Sequence, residues 1–256
     1  MELEKYIENR LNKKEILLMT HIVLGYPSLE ESYRVIETMV KAGVDIMELQ
    51  IPFSEPTADG PVIVRANQSA LEKGVSVAEC LGIAGNAAKT FDIPFLIMTY
   101  YNIPFTYGID NFTAEMSNNG LKGSIIPDLP PEEGEDYFKA MGKNGLSPIL
   151  LFSPTTSDDR MKYLASFASG FIYCVARKGV TGKDTDFSDE LSKYLVRCRK
   201  AASLPLALGF GIKQKKDVDF LKGKVDIAVI GTQSIKIMEE NGINAVGEFI
   251  QDLRRA

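Results

Sequence analysis

The chain has 256 residues, 45% of them hydrophobic, and a net charge of −5 with acidic and basic residues mixed along its length. It is long enough to bury one sizeable core, and it lacks the basic surface expected of a protein that binds nucleic acid or an anionic membrane. Three widely separated cysteines, Cys80, Cys174 and Cys198, exclude CxxC-type zinc spacing and a disulfide framework and indicate a reducing compartment.

The first predicted element is an acidic amphipathic helix over residues 2–12, with Leu3, Tyr6, Ile7 and Leu11 on one face. Its acidic character distinguishes it from a signal peptide. No apolar run in the chain approaches the roughly 20 residues that a helix needs to span a bilayer. We therefore expect a cytoplasmic protein.

Strands and helices alternate along the rest of the chain. Each predicted strand is a short apolar run without polar alternation, as expected when both faces of a parallel sheet are covered. The predicted strands are 16–24, 44–50, 94–99, 122–127, 147–152, 170–175, 205–209 and 225–230. The predicted helices are 29–42, 62–73, 76–89, 110–118, 131–144, 157–168, 186–202, 213–221 and 242–254.

Eight strand–helix units in about 250 residues are typical of a (β/α)8 TIM barrel. We therefore predict an α/β fold in which residues 1–256 form a single barrel domain with an extra N-terminal helix. A doubly wound open sheet is the alternative, but it usually has fewer strands and an early glycine-rich fingerprint, which is missing from this sequence.

The second predicted strand carries the first candidate catalytic residue. Barrel active sites lie at the C-terminal ends of the strands, and this strand ends in Glu48 with apolar neighbours on both sides. A stiff, proline-rich loop follows and contains Glu55 and Asp59. We expect poor solvation to raise the pKa of Glu48 so that it exchanges protons near neutral pH, while Asp59 stays ionised. Taken singly, each acid is more often a helix cap or a surface residue.

Two glycine turns follow the seventh and eighth predicted strands, at Gly209–Gly211 and at Gly231–Thr232. Barrels often bind phosphate at this place. Glycine lets the backbone approach an anion, and the free N–H groups at a helix start attract it. The pair of turns predicts a phosphate ligand, although a strand-to-helix turn also uses glycine for ordinary backbone reasons.

The loop after the sixth predicted strand, residues 176–183, is polar and rich in glycine. We expect a mobile lid that closes over the substrate and contributes the N–H of Gly182. An ordinary surface loop is the alternative.

The chain resembles the α subunit family of tryptophan synthase. Residues 48–61 resemble the family motif E-L-G-x-P-F-S-D-P-x-A-D-G-P, which is very specific. Supporting matches run in family order over nearly the whole chain: Leu24-Gly25-x-Pro27, Met98-Thr99-Tyr100-Tyr101-Asn102, Pro127-Asp128-Leu129-Pro130, Gly179-Val180-Thr181-Gly182, Gly209-Phe210-Gly211-Ile212 and Gly231-Thr232.

The resemblance implies a lyase that cleaves indole-3-glycerol phosphate to indole and glyceraldehyde 3-phosphate by a retro-aldol reaction. Glu48 would be the general acid and base, and Asp59 would hydrogen-bond the indole N–H. The implied substrate pocket contains His21, Tyr100, Ile125 and Tyr173, and the implied phosphate site contains Gly182, Gly211, Gly231 and Thr232. No metal or organic cofactor is implied for this chain.

The resemblance also implies a partner, a pyridoxal-phosphate β subunit that receives indole through a tunnel in an α2β2 tetramer. The implied lid and partner-facing residues are Glu55, Asn102 and Thr181.

Three residues depart from the family pattern. Gln50 replaces a glycine and adds a bulky amide beside the site, and Glu55 replaces an aspartate on the partner-facing loop. His21, the only histidine, stands where an apolar or aromatic wall of the indole pocket is expected. Three further hypotheses therefore remain: a free-standing lyase, a catalytically weak allosteric module, and another phosphate-handling barrel enzyme such as a prenyl- or sugar-phosphate enzyme.

Overall fold

The computed structural model describes residues 2–176, 189–209 and 211–255. Its strands pair in sequence order, all in parallel, and close into a barrel of eight strands through pairing of the first with the last. The strands are β1 (Leu17–Val23), β2 (Ile46–Gln50), β3 (Phe95–Met98), β4 (Gly123–Ile125), β5 (Ser147–Phe152), β6 (Ile172–Val175), β7 (Leu206–Gly209) and β8 (Ile227–Ile230). The prediction of an α/β TIM barrel is confirmed.

Helices form the outer layer of the barrel. In the described ranges they are α1 (Leu3–Leu11), α2 (Leu29–Lys41), α3 (Pro61–Glu72), α4 (Val77–Thr90), α5 (Asn102–Tyr107), α6 (Ile109–Asn118), α7 (Glu135–Lys143), α8 (Asp158–Ala165), α9 (Asp189–Ala201), α10 (Lys215–Leu221), α11 (Thr232–Asn241) and α12 (Ile243–Arg254). The extra N-terminal helix is α1. None of these helices has the length and apolar character needed to cross a membrane.

The hydrophobic core has two layers because alternate strand residues face opposite ways. On β2, Met47 and Leu49 belong to the layer between the strands and the helices, whereas Ile46 belongs to the barrel interior. The interior layer also contains Leu3 and Ile7 of α1, so this helix packs against the barrel core. Residues in the same phase as Ile46 therefore face inward, and these include Glu48 and Gln50.

Strand register sets the geometry of the candidate site. In the β1–β2 pairing, His21 lies opposite Glu48 and Val23 lies opposite Gln50. The β2 strand ends at Gln50, and the loop that follows reaches α3, which begins with Pro61 behind Gly60. Proline at the first helical position costs no hydrogen bond, so the loop ends at a well-defined point and returns Asp59 toward the barrel.

Two helices and one helix break were not predicted. The segments Asn102–Tyr107 and Thr232–Asn241 are helical, as α5 and α11. The helix predicted over 131–144 is instead a 3-10 turn, Pro131–Glu133, followed by α7, because the backbone at Gly134 leaves the helical region.

Candidate active site

A cavity of about 490 Å³ opens at the C-terminal ends of the strands, within the size range of small-molecule sites. Both candidate acids, Glu48 and Asp59, contribute to its lining. Its walls also include apolar side chains from five different strands, among them Met98, Ile125 and Leu151. The cavity therefore combines two carboxyl groups with an apolar surface that suits a flat hydrophobic ligand.

Glu48 is only 3% exposed. One carboxyl oxygen, Oε1, lies 3.3 Å from Nδ1 of His21, which makes an ion pair when the imidazole is protonated. The other oxygen, Oε2, is buried and has no hydrogen-bond partner within the described part of the chain. One oxygen is thus held by the protein, and the other is available to a ligand.

His21 is buried between the two acids. Burial by itself lowers the pKa of the imidazole, but the charge of Glu48 and a hydrogen bond with it oppose that effect. The charge of Asp59 also raises the pKa of the imidazole, and the net result is a pKa above the ordinary value. The second ring nitrogen, Nε2, finds no hydrogen-bond partner among residues 2–176, 189–209 and 211–255.

Asp59 is held by two side chains that donate to the same oxygen. Gln50 Nε2 donates to Oδ2 at 2.7 Å, and the Tyr100 hydroxyl donates to it at 3.0 Å. Burial is the largest influence on the pKa of Asp59 and raises it, although the charge of His21 and these two hydrogen bonds oppose the rise. The carboxylate is therefore fixed in place but poorly solvated.

The amide of Gln50 belongs to a larger polar network. It also donates to Oδ1 of Asn67 at 3.4 Å, and this oxygen accepts the backbone N–H of Phe53 at 2.9 Å. The network links β2, the loop and α3. Sequence reasoning treated Gln50 as added bulk beside the site and missed this role, because the partners are 9 and 17 residues away along the chain.

Three of the four residues predicted for the substrate pocket line the cavity: His21, Ile125 and Tyr173. Tyr100 differs, since it is 1% exposed and does not belong to the cavity lining. Its hydroxyl accepts the backbone N–H of Ala58 at 3.1 Å while donating to Asp59. Tyr100 therefore supports the acid from behind.

Tyr173 depends on a glycine of the neighbouring strand. A Cβ atom at Gly209 would lie 2.4 Å from the Tyr173 ring, closer than any real contact. Burial raises the pKa of Tyr173 well above its usual value, and the charges of Glu48 and Asp59 add to the effect. The phenol is therefore neutral and serves as an aromatic wall.

Gly211, Gly231 and Thr232 lie together at one end of the cavity. Gly211 has a φ of 81°, which favours glycine, and Gly231 directly precedes α11. Lys236, one turn after Thr232 on α11, also lines the cavity and was not predicted. Two further predicted residues, Thr181 and Gly182, fall outside the described residues, as does all of the predicted lid except Ala176.

Two residues predicted to face a partner are exposed at the surface. Glu55 lies in the loop after β2, and Asn102 begins α5. On the same short helix, the side chain of Phe105 is 65% exposed. All three side chains are therefore accessible at the surface of this chain.

Comparisons with known proteins agree in sequence and in structure. The family model "Tryptophan synthase alpha chain" matches residues 7–254. The tryptophan synthase alpha chains of Desulforapulum autotrophicum and Syntrophotalea carbinolica are 60% and 57% identical over 98% of this chain, covering 99% and 100% of their own lengths. A solved structure of Mycobacterium tuberculosis tryptophan synthase is similar with a TM-score of 0.92 at 27% identity, over 98% of this chain and 96% of that chain.

Proposed function

The chain belongs to the tryptophan synthase alpha chain family, and we propose that Glu48 and Asp59 are the residues that carry its reaction. Its role is that of the α subunit in tryptophan biosynthesis, a lyase that cleaves indole-3-glycerol phosphate to indole and glyceraldehyde 3-phosphate. The observation that carries the residue assignment is the pair of buried carboxyl groups in one cavity, one of them with an unpartnered oxygen.

Glu48 is the general acid and base of the proposal. Its carboxyl group donates a proton to C3 of the indole ring, which loses its aromaticity and weakens the bond to the glycerol chain. The resulting carboxylate accepts the proton of the adjacent hydroxyl as that bond breaks, which yields the aldehyde and restores the indole. The carboxyl group ends protonated, as it began, so one residue serves both steps.

Asp59 is the electrostatic partner in the proposal. Protonation at C3 places positive charge on the indole nitrogen, and a carboxylate that accepts the N–H hydrogen bond stabilises this charge. The two donors to Oδ2, Gln50 and Tyr100, leave Oδ1 for the ligand. An ionised Asp59 is needed, and both hydrogen bonds favour the ionised form.

The glycine turns and Thr232 are the proposed phosphate site. Gly211 permits close approach of the backbone, and the N-terminal end of α11 attracts an anion. Lys236 adds a positive charge to the same wall of the cavity. A phosphate held here leaves the apolar part of the cavity, with Ile125 and Tyr173, to the indole ring.

The first experiment compares indole release by the wild type, Glu48→Gln and Asp59→Asn, each with a β subunit present. We expect each variant to lose roughly 10²-fold or more in kcat, as is typical when a general acid–base group or a charge-stabilising group is removed. Glu72→Gln, at an exposed residue that ends α3, is the matched control and should retain wild-type activity. Variants that bind substrate and retain turnover would contradict the assignment.

The family implies a β-subunit partner. We propose in addition that this partner is a pyridoxal-phosphate enzyme and that the complex is an α2β2 tetramer, with the exposed Glu55, Asn102 and Phe105 at the interface. A free-standing lyase is the alternative. Turnover of the isolated chain decides between them: strong activation by an added β subunit supports the complex, and full activity alone supports the free-standing enzyme.

A further inference from the structure

His21 and Glu48 form a close pair in the wall of the cavity. His21 is the only histidine of the chain, and strand register places it beside Glu48. Nδ1 and Oε1 are 3.3 Å apart, and both side chains are nearly inaccessible, at 7% and 4% exposure. Water therefore does not compete with the carboxylate for the imidazole.

The surroundings of His21 favour a positive charge on its ring. Glu48 on β2 and Asp59 on the following loop are both acidic, and the charge of each raises the pKa of the imidazole. Tyr173 on β6 is neutral. The cationic groups of the cavity wall, Lys213 and Lys236, lie with the glycine turns. Together the acids outweigh the cost of burial, so the pKa of the imidazole is raised.

The proposed reaction requires a protonated carboxyl group, and a lone glutamic acid is mostly ionised at neutral pH. Glu48 must begin each cycle with a proton, yet a glutamic acid of ordinary pKa, about 4.3, holds one in only about one molecule in 500 at pH 7. An imidazole with a raised pKa keeps its proton to a higher pH than an ordinary imidazole does. A hydrogen-bonded imidazolium and carboxylate together contain the one proton that the reaction needs.

We propose that His21 is a positioning residue that stores the proton used by Glu48 and fixes the carboxyl group through Oε1. This inference rests on the proposed lyase reaction. The proton moves from Nδ1 to the carboxyl group of Glu48 and from that group to indole C3, and the hydroxyl proton returns to Glu48 and from there to Nδ1. The pair gains and loses no proton over the cycle, and no oxidant, reductant or further reactant is needed.

A direct test uses the fact that the chain contains one histidine. The full chain, labelled with ¹³C and ¹⁵N in histidine and purified without a histidine tag, gives NMR signals from one imidazole ring only, so they need no assignment to a residue. We expect the ring to titrate above the ordinary value of about 6.5, and its midpoint to fall by about one pH unit or more in Glu48→Gln. A titration midpoint at or below about 6.5, or a midpoint that is the same in the wild type and in Glu48→Gln, would overturn the proposal.

The kinetic test compares the pH profiles of kcat/KM for indole formation by the wild type, His21→Phe and His21→Asn. Phenylalanine keeps a ring but has neither the donor nor the proton, whereas asparagine places an N–H near the position of Nδ1 and cannot titrate. We expect the alkaline limb to move to lower pH by about one unit or more in both variants. At its optimum, His21→Asn should be the more active of the two.

The outcomes separate the two hypotheses. An active wild type whose alkaline limb is unmoved in both variants would overturn the role of His21 only. Recovery of the wild-type limb by His21→Asn would show that His21 fixes the carboxyl group without storing its proton, and would equally overturn the proposal. A wild type that forms no indole with a β subunit present would overturn the lyase reaction itself. Thermal unfolding of each variant shows whether it is folded.

Discussion

Gln50 shows how a single side chain changes the way the site is held. Its N–H groups donate to Asp59 and Asn67, and its own oxygen, Oε1, is buried without a partner in the described ranges. A glycine at this position would provide none of these contacts. The amide therefore restrains Asp59 from β2, while Tyr100 restrains it from the end of β3.

Replacing Gln50 with leucine removes the donor and keeps most of the side-chain volume. The lost hydrogen bond favoured the ionised form of Asp59, so the pKa of Asp59 should rise and the acid limb of the kcat/KM profile should move to higher pH. We expect kcat/KM at neutral pH to fall by about tenfold, the lower end of the effect of a hydrogen bond to a charged group. Gln68→Leu, at an exposed position on α3, is the control. An unmoved acid limb would contradict this role.

The places of the two acids in the cavity were predictable from sequence, and the two side chains that hold Asp59 were not. Glu48 ends an apolar strand and Asp59 lies in a short proline-rich loop, so both positions follow from local patterns. The contacts of Gln50 and Tyr100 depend on the path of the loop in space. Tyr100, predicted as pocket lining, lies behind Asp59 because its hydroxyl bonds the loop at Ala58.

The same contrast appears among the secondary-structure elements. The strands were predicted because each is a continuous apolar run between turn residues. The six-residue α5 was missed because it contains Pro104 with several aromatic or β-branched residues, which have poor helix propensity. The helix α11 was missed because its opening residues, Thr232 to Ser234, match a phosphate-binding turn as well as a helix start.

The first and last helices are attached to the barrel through one buried carboxylate, Asp45, just before β2. It accepts from Arg10 at 2.9 Å and from Lys14 at 2.7 Å, and it also contacts Arg254 of α12. The Leu18 N–H donates to its other oxygen, Oδ2, at 3.0 Å. Burial alone raises the pKa of Asp45, but the charge of Arg254 and these hydrogen bonds outweigh it and lower the pKa.

Asp45→Asn should destabilise the protein by about 3 kcal/mol at pH 7, since it leaves several cations without their common partner. Because the pKa of Asp45 is lower in the folded than in the unfolded state, its stabilisation is present above the unfolded value of about 3.9. The stabilisation is lost as the pH falls through the folded pKa. Urea unfolding from pH 7 to pH 2 measures both effects.

The matched control is Asp252→Asn, which removes an exposed ion pair with Arg255 on the same terminal helix. It should change the free energy of unfolding by no more than about 0.5 kcal/mol. A difference between wild type and Asp45→Asn that stays constant down to pH 2 would contradict the electrostatic explanation.

At the scale of the whole molecule, the candidate active site and the main buried ionic cluster of the described residues lie at different ends of the barrel. The cavity, the glycine turns and the exposed residues Glu55, Asn102 and Phe105 lie at or beyond the C-terminal ends of the strands. The ionic cluster around Asp45 lies at the opposite end, before β2 begins. The stabilising ionic cluster and the candidate active site are therefore at opposite ends of the barrel.

If Phe105 lies at the interface, Phe105→Ser should weaken binding of a β subunit by about tenfold or more, because a large side chain buried near the centre of an interface carries much of the binding energy. Calorimetric titration of the folded chain with the β subunit measures the dissociation constant. The control is Val196→Ser, a side chain 55% exposed on α9. Equal affinities for wild type and Phe105→Ser would exclude this ring from the interface.

The shared contact of Arg10 and Arg254 with Asp45 also determines how the chain tolerates a change in connectivity. The helices that carry these two arginines begin and end the described chain, and one carboxylate brings them together. A short linker that joins the first helix to the last should leave the strands in place. Breaking the chain at an exposed loop instead would then give a circular permutant with the same fold. The order of the strands around the barrel would be unchanged, because it depends on pairing and does not depend on which strand comes first.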